Sequence, residues 1–141
     1  MELIYSKRKP EKLLHIINRM DDINGRTDVA PESQFIQLAT LRMEKGKTFK
    51  PHKHIWKKSN NDEVIAQESW VIVKGSVKVF MYDIDDTLIG QEVIRQGDCS
   101  ITFEGGHTYT ILEDDTVVYE YKTGPYTGQK NDKVFIEDQR E

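Results

Sequence analysis

Cysteine is nearly absent from this sequence, which has only Cys99 among its 141 residues. A single thiol excludes an intrachain disulfide framework and a zinc site built from several thiolates. We expect Cys99 to lie in a strand as a small buried side chain. Histidine is scarce too, with four residues, so a metal site here would have to draw imidazole and carboxylate ligands from few positions.

Long apolar runs and net positive charge are missing as well. The longest apolar runs, such as residues 70–73, are far too short to span a bilayer, and residues 1–14 contain no apolar core of signal-peptide length. We therefore expect a cytoplasmic protein with no membrane partner. The net charge of −4 argues against a nucleic-acid partner.

The composition is that of one folded domain. Hydrophobic residues make up 37% and charged residues 31% of the chain, and its length is enough to bury a core. Residues 10–20 carry the one helical pattern, because Pro10 suits a first helical position and an apolar stripe follows at Leu13, Leu14, Ile16, Ile17 and Met20. We assign 1–33 to an N-terminal helix and lead-in, 34–136 to a β-barrel and 137–141 to a tail.

After residue 33 the pattern changes to short segments rich in Val, Ile, Thr, Tyr and Phe, separated by turn signals. These predicted strands cover residues 35–43, 69–83, 91–95, 99–103, 108–112 and 117–122. Several short strands with no helices between them indicate an antiparallel sandwich or barrel.

The sharpest local feature is the pair His52 and His54. Residues two apart in a strand project from the same face, so both imidazoles can reach one metal ion. Imidazole suits Zn, Fe, Ni and Cu, and two histidines with a carboxylate form the facial triad of non-haem iron enzymes. The alternative is a pair of surface histidines among lysines.

The surrounding spacing resembles the two motifs of the cupin family. In the first motif a glycine precedes the histidine pair and a glutamate precedes a second glycine, here Gly46, His52, His54, Glu68 and Gly75. The second motif has its counterpart in Gly97, Gly105 and His107. The thirteen residues between His54 and Glu68, more than the family usually has, predict a hairpin extension.

This resemblance implies an all-β fold, the cupin-type double-stranded β-helix or jelly-roll barrel. It also implies a divalent transition metal (Fe, Mn, Zn or Ni) held by His52, His54, Glu68 and His107. The stretch 105–126 is similar to small single-domain bacterial cupins, some of which are encoded beside surface-polysaccharide or nucleotide-sugar genes. The family further implies a small-molecule ligand in the barrel and a homodimer.

Strand alternation extends the candidate site. If the histidine pair faces inward, Lys50 and Trp56 do so by parity. If Glu68 faces inward, Trp70, two residues later, does so as well. Trp70 could stack on a sugar or base, although plain core packing is the favoured interpretation. Tyr109 shares the parity of His107 and could line the pocket mouth or simply pack.

The last strand carries Glu120 and Lys122 on one face and Tyr119 and Tyr121 on the other. If the charged face points into the barrel, Glu120 and Lys122 are candidates for acid–base and substrate-orienting roles. The sequence slightly favours the opposite arrangement, with a solvated charged face and the tyrosines in the core.

Three functions remain open. The first is a metal-dependent isomerase, epimerase or dioxygenase acting on a small molecule. The second is a metal-free sugar-nucleotide isomerase or epimerase, with His54 or His107 as base and Tyr109 or Glu120 as partner. The third is a non-catalytic ligand-binding or dimerisation module. An anionic substrate would need local positive charge, for which Lys50, Lys53 and Lys122 are the candidates.

Overall fold

The computed structural model describes residues 1–59 and 62–140, and its main body is two five-stranded antiparallel sheets packed face to face. The strands are β1 Glu2–Tyr5, β2 Leu13–Ile17, β3 Arg26–Asp28, β4 Ile36–Met43, β5 His52–His54, β6 Lys57–Ser59, β7 Asp62–Val64, β8 Glu68–Lys74, β9 Ser76–Tyr82, β10 Leu88–Arg95, β11 Cys99–Thr102, β12 Gly106–Ile111, β13 Thr116–Thr123 and β14 Lys133–Phe135. One sheet has the order β10-β9-β12-β5-β14 and the other β11-β8-β13-β4-β3. The predicted all-β jelly-roll fold is confirmed.

The core lies between the two sheets and follows from strand alternation. Along β8, Trp70 and Ile72 are buried while Val71 between them is half-exposed, as expected for a strand with one face on the core. Apolar side chains from both sheets meet them there, including Ala39, Leu41, Val77, Val79, Tyr109, Ile111 and Val118.

Two glycines of the predicted motifs stand where a side chain would not fit. Gly75, between β8 and β9, has a φ of 82°, and a Cβ there would lie 2.3 Å from the Thr116 hydroxyl. Gly105, just before β12, has a φ of 91°, and a Cβ would lie 2.5 Å from the Tyr82 carbonyl oxygen. These positions therefore require glycine to turn the chain and to let neighbouring backbones approach.

The predicted N-terminal helix is wrong. Strands β1 and β2 pair antiparallel as a hairpin, and Pro10 lies in the turn that joins them, where the Lys12 amide donates to the Lys9 carbonyl at 2.8 Å. Proline favours the second position of such a turn as strongly as the first position of a helix. The run of residues 13–17 is too short for its apolar spacing to distinguish a helix from a strand.

The α-helix of the described chain lies near the C-terminus instead, as the single turn α1 Gln129–Asp132. A 3₁₀ turn also spans Met20–Asp22. Strand β3 belongs to the predicted lead-in segment, yet it pairs with β4 at the edge of a main sheet. In the described part of the chain, no helix is long and apolar enough to cross a membrane.

The long spacer between His54 and Glu68 forms the predicted hairpin extension, since β6 pairs with β7. Asn60 and Asn61, between those strands, lie outside the described residues, as does Glu141 of the predicted tail. Because the hairpin returns the chain before β8 begins, the extra residues leave Glu68 in the inward position that the motif requires.

Two further expectations are wrong. Cys99 lies in a strand as predicted but is exposed, because β11 is an edge strand of its sheet. Trp56 is 55% exposed and donates from Nε1 to Glu104 at 3.2 Å. It follows the end of β5, so the strict alternation that places His52 and His54 inward no longer applies there.

Candidate metal centre

Three strands from both sheets bring the four predicted ligands together. His52 and His54 lie on β5, and His107 of the neighbouring strand β12 is in register with His52. Glu68, the first residue of β8, faces them from the opposite sheet. All four side chains are buried, and their ligand atoms lie within 4.8 Å of one another.

The three imidazoles converge on one carboxylate oxygen. The distance from Glu68 Oε2 to Nε2 is 2.7 Å for His107, 3.3 Å for His54 and 4.0 Å for His52. The His107 Nε2 atom is buried and, despite this proximity, has no hydrogen-bond partner among the described residues. A buried ring nitrogen without a hydrogen-bond partner, next to a carboxylate, fits a metal ligand.

The second ring nitrogen, Nδ1, of each histidine faces an oxygen. These contacts join His52 to the Lys50 carbonyl at 3.3 Å, His54 to an Asp132 carboxylate oxygen at 3.0 Å and His107 to the Thr102 hydroxyl at 2.8 Å. Where such an oxygen accepts the Nδ1 proton, the neutral ring leaves its Nε2 lone pair facing Glu68. This is the arrangement that orients histidine ligands in metal sites.

The charges at the site are strongly coupled. Burial alone would raise the pKa of Glu68, but the charge of His107 and the hydrogen bond and charge of His54 hold it well below its usual value. Burial opposes a charge on His54, yet hydrogen bonds to Asp132 and Glu68 raise its pKa to about 9. Burial and the neighbouring His107 lower the pKa of His52 to about 3. These shifts favour a protonated His54 between the carboxylates of Glu68 and Asp132.

Asp132 is one of the site residues that the sequence did not predict. It is buried in α1 and accepts from His54 at 3.0 Å, from Lys57 at 2.9 Å and from Lys122 at 3.2 Å. These partners outweigh burial and lower its pKa. No spacing rule links it to the motifs, because it comes from a short helix 78 residues after His54.

A cavity of about 450 Å³ opens beside the four residues, with His52 and Glu68 in its wall. This volume suits a small-molecule ligand. The cavity also contains every other residue predicted to act on or bind a substrate, namely Lys50, Trp70, Tyr109, Glu120 and Lys122.

Trp70 and Tyr109 form the apolar floor of this cavity. Trp70 packs in the core as favoured from the sequence, and its ring stacks on that of His107 with centroids 4.3 Å apart. Neither the Trp70 Nε1 nor the Tyr109 hydroxyl has a hydrogen-bond partner in the described part of the chain. Burial raises the pKa of Tyr109 well above its usual value, so its hydroxyl keeps its proton.

The charged face of β13 points into the cavity, so the arrangement favoured from the sequence is wrong. Glu120 accepts from Arg26 at 3.1 Å, whereas Tyr121 is 37% exposed on the outer face. The reason is that β3 supplies a guanidinium that pairs with the inward carboxylate. Burial, assisted by the charge of Glu68, nevertheless raises the pKa of Glu120.

The predicted cationic residues divide into three environments. Lys50 lies at the mouth of the cavity, and Lys122 lies inside it, paired with Asp132. Lys53 lies outside and pairs with Asp86. Lys133 was not predicted, but it lines the cavity from β14, and burial lowers its pKa.

Solved structures share this fold at low sequence identity. KdgF from Halomonas sp. matches with a TM-score of 0.54 and 17% identity, over 70% of this chain and 77% of that one. The capsular polysaccharide assembling protein CapF from Staphylococcus aureus matches with a TM-score of 0.65 and 17% identity, over 85% of this chain. This chain spans only about a third of CapF, 34% of its length.

A third neighbour is an uncharacterized conserved protein with a double-stranded β-helix domain from Klebsiella pneumoniae. It matches with a TM-score of 0.59 and 12% identity, over 86% of this chain and 91% of that one. No protein-family model and no curated protein matches the sequence. The neighbours establish the cupin-type double-stranded β-helix as the fold of this chain.

Proposed function

We propose that this protein binds a divalent transition metal and acts on a small molecule in the adjoining cavity. The observation that carries this proposal is the convergence of three buried imidazole Nε2 atoms on one carboxylate oxygen. The residues that would hold the ion are His52, His54, Glu68 and His107.

The donor set limits the metal. Three imidazole nitrogens and one carboxylate oxygen suit Fe, Mn, Zn or Ni, whereas calcium and magnesium prefer oxygen ligands. When bound, such an ion would supply a Lewis acid beside the cavity. Asp132 would keep the Nδ1 proton of His54, so that Nε2 of the same ring can bind the metal.

The remaining groups in the cavity favour proton transfer as the chemistry. The raised pKa of Glu120 suits a carboxyl group that takes a proton from a substrate and returns it, as isomerisation and epimerisation require. The Tyr109 hydroxyl keeps its proton and has no protein acceptor among the described residues, so it is a candidate to hydrogen-bond a substrate oxygen. We therefore favour an isomerase or epimerase over a dioxygenase.

The fold neighbours support a carbohydrate or nucleotide sugar as substrate. One of them is named for capsular polysaccharide assembly, which is a property of that protein. In this chain, the supporting observation is the size of the cavity, about 450 Å³, which accommodates a sugar ring, whereas Trp70 is buried against His107 and packs in the core.

Metal analysis tests the proposal. Protein purified without chelator should contain about one ion per chain, and zinc or nickel added after chelation should raise its Tm. His52→Ala and His54→Ala should lose both effects. His15→Ala is the matched control, because His15 is exposed on β2 and should leave both effects unchanged. No bound ion in the wild-type protein and no shift on addition would contradict the proposal.

A metal-free isomerase is the second candidate, favoured by the buried Tyr109 hydroxyl that lacks a partner among the described residues. His54 or His107 would then be the base, with Tyr109 or Glu120 as partner. A nucleotide sugar that raises the Tm while metals do not would support it. Binding without turnover would instead indicate a non-catalytic module.

A homodimer remains a further proposal, supported by an apolar surface on the outer face of the second sheet. Phe35 and Ile36 are 71% and 63% exposed there, and they share a groove with Ile101 and Tyr121. Ile101→Asp should shift the mass measured by light scattering from dimer to monomer. A wild-type monomer would contradict this proposal. Cytoplasmic localisation likewise stays a prediction.

A further inference from the structure

Two lysines that line the cavity have no carboxylate partner, and both lie beside the same aromatic ring. The Nζ atom of Lys50 is 5.2 Å and that of Lys133 is 6.0 Å from the centroid of the Phe135 ring, and all three residues line the cavity. Within residues 1–59 and 62–140, neither lysine forms an ion pair. Each ammonium group therefore retains free donors.

Strand register explains why these lysines face the candidate metal centre. On β14, Phe135 pairs with His52 and Lys133 pairs with His54, so both side chains project from the inward face of that sheet. Lys50 precedes His52 by two residues and lines the same cavity. Two positive charges thus stand on one side of the four converging ligands.

The other charges that line the cavity are already paired within the protein. The pairs are Arg26 with Asp28 and Glu120, Lys122 with Asp132, and Glu68 with the three histidines. Glu32 is the remaining acid of the lining, and it is exposed at the rim. The unpaired charge next to the ligands is therefore positive, although the chain as a whole is acidic.

We infer that Lys50 and Lys133 form an anion subsite, which makes the substrate an anionic small molecule bearing a carboxylate or a phosphate. The inference deepens the proposed function and rests on it for the reaction that follows binding. An ammonium group is a compact charge with three donors that suits either anion. Phe135 makes cation–π contacts with both lysines and supplies an apolar surface for the uncharged part of the ligand.

Calorimetry with three related sugars tests the subsite. D-glucuronate supplies a carboxylate, D-glucose 6-phosphate supplies a phosphate and D-glucose is neutral. Each is titrated into zinc-loaded and into chelator-treated protein. Lys50→Gln and Lys133→Gln should each weaken binding of the preferred anion about tenfold, the effect of one lost charge-assisted hydrogen bond, in both forms of the protein. Glucose binding and zinc uptake should not change.

The control is Lys78→Gln. Lys78 makes the same kind of contact with Phe80, at 5.3 Å, but lies outside the cavity lining, so this variant should bind all three sugars like the wild-type protein. The ratio between the two anions identifies the substrate group. The Tm of each variant shows that it is folded.

The outcomes separate this inference from the proposed function. Lysine-dependent anion binding in a protein that takes up no metal would uphold the subsite and contradict the metal proposal. Anion binding that requires zinc and is equal in all lysine variants would uphold the metal proposal and overturn the subsite. Failure of the wild-type protein to bind either anion at ~10 mM, the weak end of specific affinity, would also overturn it.

Discussion

Two sets of polar groups beside the cavity differ in how they are satisfied within the protein. In the histidine cluster, formed by the four candidate ligands, each Nδ1 atom faces an oxygen and the Nε2 atoms converge on Glu68. In the second set, the Tyr109 hydroxyl and the ammonium groups of Lys50 and Lys133 form no hydrogen bond or ion pair with the described residues. The first set suits a small ion, whereas the second leaves donors that a larger ligand would complete.

The largest effect should come from removing the carboxylate of the histidine cluster. Glu68→Gln keeps the shape of the side chain but removes the negative charge on which three imidazoles converge. Zinc affinity should therefore fall by more than ~100-fold, which exceeds the loss typical when a residue that only hydrogen-bonds to a metal ligand is replaced. Titration calorimetry measures this. Equal affinity in the variant and the wild-type protein would show that Glu68 is not a ligand.

A smaller loss should follow from removing the partner of His54. Asp132→Asn leaves all four ligands in place but weakens the acceptor for the His54 Nδ1 proton, so zinc affinity should fall ~10–100-fold. Asp138→Asn is the matched control, because Asp138 is exposed and pairs with Arg140. An equal effect of both substitutions would contradict the role of Asp132.

The raised pKa of His54 predicts how the chelator-treated protein responds to alkali. Its folded pKa of about 9 lies above the unfolded value of 6.5, so this stabilisation is fully present below pH 6.5 and is lost as the pH rises to about 9. Urea unfolding should give a lower free energy of unfolding at pH 9 than at pH 6.5. His54→Asn should reduce that difference, and an unchanged difference would refute the assignment.

The smallest effect on stability should come from removing the Tyr109 hydroxyl. Tyr109→Phe removes a buried hydroxyl that bonds to nothing in the described chain, so the free energy of unfolding should be unchanged or slightly higher. Thr108→Val, its control on the same strand, removes a hydroxyl that donates to the Phe49 carbonyl at 2.8 Å and should cost about 1 kcal/mol. Equal costs would mean that the Tyr109 hydroxyl has a partner.

The residues around the cavity also differ in how far they could be predicted from sequence. The histidine cluster was predictable because strand alternation is local, and the motif glycines at positions 75 and 105 mark turns that only glycine permits. The orientation of β13 was not predictable, because Arg26 reaches Glu120 from a strand 94 residues earlier. Asp132 and Lys133 were missed for the same reason, since only the pairing of β14 with β5 brings them to the site.

The N-terminal segment shows a different limit. Residues 13–17 are compatible with a helix or a strand, and pairing with β1 decides the outcome. Sequence reasoning therefore succeeded where each residue's role depends on its immediate neighbours, and failed where a distant strand determines it.

The convergence of the four ligands is tested most directly by anomalous diffraction from crystals of the zinc-loaded protein. We predict one strong zinc peak bonded to Nε2 of His52, His54 and His107 and to a carboxylate oxygen of Glu68, at the ~2.0–2.2 Å typical of such bonds. Crystals that hold zinc elsewhere, or no zinc at these four residues, would contradict the central claim.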